Sequence, residues 1–69
     1  MAMELDVQRL ELGDVVVIEL DDEAEVEATV VRPIDRTETA VRVSLRVAAR
    51  DDFVRAWPLG SKVVVVRGP

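Results

Sequence analysis

The sequence predicts a small all-β protein, with one antiparallel sheet of five strands, or six, closed into a barrel. Two segments, residues 25–33 and 38–47, alternate apolar and polar side chains with period two, as half-buried strands do. Turn-forming residues recur about every ten positions, and no segment shows a convincing helical periodicity. A chain of 69 residues with this pattern forms a single domain, residues 1–69.

The two alternating segments are predicted to form a central hairpin. A register that places Pro33 opposite Glu38 also places Glu25 opposite Arg46, so that opposite charges face each other on the outer side. A shift by two residues would keep both faces, whereas a shift by one would place valines opposite charges. The inward face of this hairpin is predicted to consist of Val26, Ala28, Val30, Val41, Val43 and Leu45.

The strand before the hairpin, residues 15–20, is a β-branched run that does not alternate. Every second side chain from Val16 onward is predicted to face the core. Val15 and Val17 point the other way and are also apolar, so both faces of this strand need to be covered. The N-terminal segment, Trp57 or a second subunit could provide that cover.

The segments before residue 13 and after residue 52 are predicted to form the outer strands of the sheet. Residues 1–12 fit either a short edge strand or a helical turn. Residues 53–57 and 62–67 are predicted strands, joined by a turn at residues 58–61 that contains proline and glycine. The acidic residues 21–24 form the predicted loop before the hairpin.

Barrel closure is expected because an open sheet of this length would leave two bare edges. The two candidate architectures are an SH3-like barrel and an OB-like barrel. An OB-fold usually carries a helix between its third and fourth strands, and residues 48–52 are too few to form one. The SH3-like barrel is therefore the prediction, and the OB-like barrel is the alternative.

Two segments carry a resemblance to a known type of barrel. Residues 12–17, Leu-Gly-Asp-Val-Val-Val, followed by Ala-Thr-Val-Val at residues 28–31, resemble the opening of SH3-like barrels of the KOW type. Residues 53–66 are similar to the way such barrels close. The glycine that KOW sequences carry at the start of the second strand is missing, since residues 24–25 are alanine and glutamate. The resemblance implies a module that binds nucleic acid or protein.

Charge is distributed unevenly along the chain. Residues 1–27 contain ten acidic residues and one arginine, whereas residues 28–69 contain four acidic and eight basic residues. We expect the two halves to meet in the fold and neutralise each other. The alternative is a two-faced surface, with one side for a basic partner and the other for an anionic partner.

Composition also limits the chemistry and the compartment. The chain has no cysteine and no histidine, so Ser44 and Ser61 have no neighbouring base, and neither a catalytic residue nor a cofactor is predicted. The acids of residues 19–27 lack the spacing of a calcium loop. They are predicted to be solvated, with contact to a basic partner as the alternative and no metal site. The absence of cysteine fits the cytoplasm, and no apolar run is long enough for a membrane helix.

The predicted function is non-enzymatic binding of a protein or of a second copy of the chain, as in a homodimer. The residues predicted to form that interface are Val15, Val17, Val31 and Trp57.

The alternative function is nucleic-acid binding through an arginine-rich strand face. That face would use Arg42, Arg46 and Arg55 to contact phosphates. The chain has only one phenylalanine and one tryptophan for base stacking. We therefore expect the arginines on the hairpin to pair with its glutamates instead.

Overall fold

The computed structural model describes residues 2–20 and 24–67. These residues form an all-β structure in which one antiparallel sheet curls into a half-barrel. A 3₁₀ turn, Val7–Arg9, is its only helical element, and no described helix is long and apolar enough to cross a membrane. The strands are β1 (Ala2–Asp6), β2 (Val15–Glu19), β3 (Glu25–Val30), β4 (Asp35–Arg36), β5 (Ala40–Arg46), β6 (Phe53–Pro58) and β7 (Lys62–Val66).

The backbone ladder of the described strands is that of a half-barrel, so the prediction of an antiparallel barrel is confirmed in part. The strands follow the order β1-β7-β2-β3-β5, and β6 pairs with the side of β5 that β3 leaves free. The two-residue strand β4 continues alongside β5 beyond the end of β3. Strands β1 and β6 are therefore the two edges of the described sheet. Strand β1 is the sixth strand that the prediction allowed, and the two-residue strand β4 brings the number to seven.

The N-terminal segment contains both of the structures that its sequence allowed. Strand β1 pairs with β7, and the 3₁₀ turn follows it directly. Val7 and Leu10 are buried in the core, and the Val7 N–H donates to the Ser61 carbonyl at 2.8 Å. The turn therefore fixes this end of the chain to the loop between β6 and β7.

The core lies on the inner side of the curved sheet, as the alternation predicts. All seven of the largest fully buried side chains are valine or leucine, and no polar or charged residue is buried among the described ones. Val26 and Leu20 are half-buried and pack against this cluster. The buried apolar residues are Val7, Leu10, Val16, Ile18, Ala28, Val30, Val41, Val43, Leu45, Val47, Val63 and Val65.

The register of the central hairpin differs from the predicted one by four residues. Val30 lies opposite Leu45, and Thr29 lies opposite Arg46. Because four is an even number, every side chain stays on its predicted face. Alternation specifies which face a side chain occupies but not which residue lies opposite it.

The position of the turn explains this register. The Thr37 N–H donates to the Ala40 carbonyl at 2.8 Å, and the Ala40 N–H donates to Thr37 Oγ1 at 3.0 Å, so the hairpin closes at residues 37–40. Four residues, 31–34, then lie opposite only two residues of β5. Pro33 has no N–H to donate to a ladder and is tolerated in such a bulge.

The predicted pair of Glu25 with Arg46 is also wrong. Arg46 instead makes a bidentate pair with Asp52, with Nε–Oδ1 and Nη2–Oδ2 distances of 2.9 and 3.0 Å. Glu25 lies opposite Glu19 on β2. The acidic and basic halves therefore do not meet at this pair, but they do meet where Lys62 pairs with Asp6 and Arg67 pairs with Asp14.

The acidic loop before the hairpin, residues 21–23, lies outside the described residues, as do Met1 and residues 68–69. The predicted turn at residues 58–61 is present, and a similar turn lies at residues 11–14. Each has glycine as its third residue with a positive φ, 90° at Gly13 and 83° at Gly60. In each, the fourth N–H donates to the first carbonyl, which is the arrangement of a type II turn.

A third turn of the same kind carries alanine where the others carry glycine. The Arg50 N–H donates to the Val47 carbonyl at 3.2 Å, and Ala49, the third residue, has a φ of 65°. A left-handed conformation costs a residue with a Cβ about 1–2 kcal/mol. This turn therefore holds a strained alanine.

We expect Ala49→Gly to raise the free energy of unfolding by about 0.5–1 kcal/mol. Relief of the strain exceeds the extra backbone entropy that glycine loses on folding. Urea unfolding followed by circular dichroism measures the change. The neighbouring substitution Ala48→Gly is the control and should give no gain, whereas equal effects of the two substitutions would contradict the explanation.

Candidate interaction surfaces

Four valines form an apolar block on the outer side of the sheet. Val15 lies opposite Val66, and Val17 lies opposite Val64, so the four side chains project from β2 and β7 to the same side. Val64 is 40% exposed, and the other three are half-buried. We call Val15, Val17, Val64 and Val66 the valine face.

Glutamates border the valine face on both sides. Glu4 of β1 lies opposite Val64, and Glu27 of β3 lies opposite Val17. Beyond them, Glu19 and Glu25 lie opposite each other, and like charges in that position are destabilising by roughly 0.2–1 kcal/mol. We call these four exposed glutamates the acidic rim. Among the described residues, no lysine or arginine nitrogen lies within 4.0 Å of any of them.

An ion pair lies at one end of the valine face. Arg67 Nε donates to Asp14 Oδ1 at 3.1 Å, and its Nη2 donates to Oδ2 at 2.9 Å. The Asp14 side chain is only 11% exposed and also accepts the Glu11 N–H at 2.9 Å. The hydrogen bonds from Arg67 lower the pKa of Asp14. This pair joins the start of β2 to the end of β7, where Val15 and Val66 meet.

The structure brings together two of the four residues predicted to form an interface. Val15 and Val17 lie on the valine face, as predicted from their outward parity. Val31 lies in the bulge after β3, where its N–H donates to the Ser44 carbonyl. Trp57 lies opposite buried Val41 and packs, half-buried, against the core. Val64 and Val66 were missed, although their alternate positions on the last strand could have identified them.

Arg55 lies on the inner side of edge strand β6, beside Trp57. Its guanidinium carbon is 5.8 Å from the centroid of the Trp57 ring, within the range of a cation–π contact. Its Nη1 donates to the Glu19 carbonyl at 3.2 Å, although β3 and β5 separate β6 from β2 in the sheet. An inward-pointing charge on an edge strand also discourages pairing with another strand. The inward position of Arg55 is therefore explained by its contacts within the fold.

The three arginines predicted to contact nucleic acid do not form one stripe. Arg42 and Arg46 lie on the outer side of β5, whereas Arg55 lies on the inner side of β6. Arg46 is engaged by Asp52, and this hydrogen-bonded pair lowers the pKa of Asp52. Arg42 lies opposite Asp35, yet no carboxylate of the described residues comes within 4.0 Å of it.

Two adjoining hollows form a groove on the outer side of β5. They have volumes of about 320 and 240 Å³, and Arg32, Ser44 and Val54 line both of them. Val54 is 58% exposed and also borders a third hollow of about 410 Å³. We call the first two hollows the arginine groove. Its remaining lining residues are Val31, Pro33, Asp35, Arg42, Asp52 and Phe53.

The arginine groove contains few side chains that could react. The only hydroxyl shared by both hollows of the arginine groove belongs to Ser44, and the chain has no histidine to activate it. Within residues 2–20 and 24–67, no group of three or more acidic, histidine or cysteine side chains is placed to hold a metal ion. Comparisons with protein families, curated proteins and solved structures find no match to this chain.

Proposed function

We propose that the protein is a non-enzymatic interaction module that binds another protein chain through the valine face. The observation that supports this proposal is the block of four outward valines on β2 and β7. A contiguous apolar patch with a polar border is typical of protein interfaces. Val64, the most exposed of the four, is the residue we expect at the centre of the contact.

The acidic rim defines the kind of partner. Glu19 and Glu25 face each other with no cation of the described residues within 4.0 Å, and Glu27 lies opposite Val17 on the same strand as Glu25. A partner with lysine or arginine around an apolar centre would relieve this repulsion and bury the valines. We therefore propose a basic partner surface.

We also propose that the half-barrel is SH3-like, of the KOW type, rather than OB-like. Residues 47–52, between β5 and β6, form a turn and no helix, whereas an OB-fold usually carries a helix at this point. The KOW-like pattern at residues 12–17 maps onto the type II turn and β2. A cytoplasmic location completes the proposal, and the cysteine-free composition supports it.

Site-specific photo-crosslinking tests the valine face. A benzophenone amino acid replaces Val64 in the protein expressed in its source organism, and adducts are identified by mass spectrometry. Leu12 is the matched control, because it is apolar, 62% exposed and located in the turn before β2. We expect a defined protein adduct from position 64 and not from position 12. The absence of a specific adduct from position 64 would contradict the proposed function.

Nucleic-acid binding through the arginine groove is the second candidate function. The observation that favours it is that Arg32 and Arg42 line the groove with no carboxylate of the described residues within 4.0 Å. Titration against labelled RNA and DNA at low salt tests it. Binding that Arg42→Ala weakens and Arg9→Ala leaves unchanged would support this function, and no binding at low salt would exclude it.

A further inference from the structure

We propose that the partner of the valine face is the arginine groove of a second copy of the same chain, so that copies associate head to tail. This inference rests on the proposed function and names its partner. The valine face uses strands β2 and β7, whereas the groove is built on β5, β6 and the bulge before β4. A single copy therefore carries both halves of the contact in separate parts of the sheet.

Charge complementarity is the first argument. The acidic rim contributes four glutamates with no cation within 4.0 Å among the described residues. The groove contributes Arg32 and Arg42, which likewise have no described carboxylate within that distance. Asp35 and Asp52 also line it, but Asp52 is paired with Arg46, so three arginines stand against two aspartates around the groove. Surfaces of opposite charge attract each other, and the attraction also fixes their relative orientation. A second copy supplies the charge that each surface lacks.

The same charges argue against a symmetric dimer through the valine face. In a two-fold contact a surface meets itself, so the acidic rim of one copy would face that of the other. Glutamates border the face on both β1 and β3, at Glu4 and Glu27. Lys62 of β7 lies on the same side of the sheet, but it is already paired with Asp6. Turning one copy about the two-fold axis therefore brings the rim only a lysine that already has a carboxylate. Contact between two different surfaces avoids this repulsion.

Each surface also offers an exposed valine at its centre. Val64 is 40% exposed on the face, and Val54 is 58% exposed in the groove. Burial of these two side chains would supply apolar contact inside a ring of opposite charges, the arrangement found in specific interfaces. Because the two surfaces differ, each copy keeps one free after docking, so association continues beyond the dimer.

Two variants with one impaired surface each test the inference. Val64→Glu adds a carboxylate to the valine face, and Arg42→Glu reverses a charge in the groove. Neither residue is buried, and circular dichroism checks that each variant is folded. Leu12→Glu and Arg9→Glu are the matched controls, since they make the same chemical changes at exposed positions outside both surfaces.

We expect wild-type protein to form a concentration-dependent series of oligomers in sedimentation velocity. Salt should weaken the association, because opposite charges border the contact. Val64→Glu and Arg42→Glu should each raise the dissociation constant at least about tenfold, and the two controls should leave it unchanged. A mixture of the two variants should form a 1:1 dimer and nothing larger, because each variant supplies one intact surface and both impaired surfaces are acidic.

Two results would overturn the inference. Wild-type protein that stays monomeric at the highest concentration measured would exclude the contact. Arg42→Glu protein that associates as strongly as wild type would show that the groove takes no part. In either case a crosslink from position 64 to a different protein would leave the proposed function intact, so the two proposals fail independently.

Discussion

Leu45→Ala is expected to lower the free energy of unfolding by about 3 kcal/mol. Leu45 is fully buried, and its cross-strand neighbours are Val30 on one side and Phe53 on the other. Truncation removes apolar contacts and leaves a cavity that neighbouring strands fill only in part. A domain of this size has a total stability of about 3–10 kcal/mol, so the variant should be close to unfolding at room temperature.

Leu12→Ala is the control for this prediction. It makes the same chemical change at a leucine that is 62% exposed, so the expected loss is less than about 0.5 kcal/mol. Urea unfolding monitored by circular dichroism measures both variants. Similar losses for the two leucines would mean that Leu45 does not occupy the core of the sheet.

Asp14→Asn is expected to cost about 1–2 kcal/mol at neutral pH. The carboxylate of Asp14 accepts two hydrogen bonds from Arg67 and one from the Glu11 N–H. Hydrogen bonds to a charged group contribute more than neutral ones, but the partial exposure of the Arg67 side chain, 38%, reduces the gain. The cost arises because the neutral amide retains one oxygen and no charge.

The effect of Asp14→Asn should depend on pH in a defined direction. Arg67 lowers the pKa of Asp14 below its ordinary value of 3.8. A lowered pKa in the folded state gives stability that is present above pH 3.8 and is lost as the pH falls through the folded pKa. The difference in melting temperature between wild type and variant should therefore shrink below about pH 4.

The exposed pair of Asp52 with Arg46 provides the comparison for Asp14. Hydrogen bonds from Arg46 lower the pKa of Asp52 as well, but both side chains are exposed. Asp52→Asn should therefore change the melting temperature less than Asp14→Asn at neutral pH. A wild-type to Asp14→Asn difference that is the same at acid and neutral pH would show that the ion pair contributes no stability.

The sequence predicted which face of the sheet a side chain occupies, but not which residue lies opposite it on the neighbouring strand. Alternation placed Val43 and Leu45 inside and Val15 and Val17 outside, and the structure agrees. The register depended on hydrogen bonds of Thr37 that an alternating pattern does not encode. The curvature of the sheet could not be predicted from the sequence either, because closure of a sheet depends on how its edge strands approach one another.

The candidate surfaces were predictable only where they lie within one strand. The outward positions of Val15 and Val17 followed from a single β-branched run. The addition of Val64 required knowledge that β7 pairs with β2, a contact between residues almost fifty positions apart. The prediction that Arg55 lies on the same face as Arg42 and Arg46 failed for the same reason. The inward direction of its side chain is set by the pairing of β6 with β5.

The pairing of the first strand with the last has a consequence for engineering this chain. Ala2 and Val66 are cross-strand neighbours, so a short linker could join the two ends without stretching the sheet. New termini could then be opened in the exposed turn around Arg50. The fold should therefore tolerate circular permutation, which would let a reporter be fused at the turn between β5 and β6.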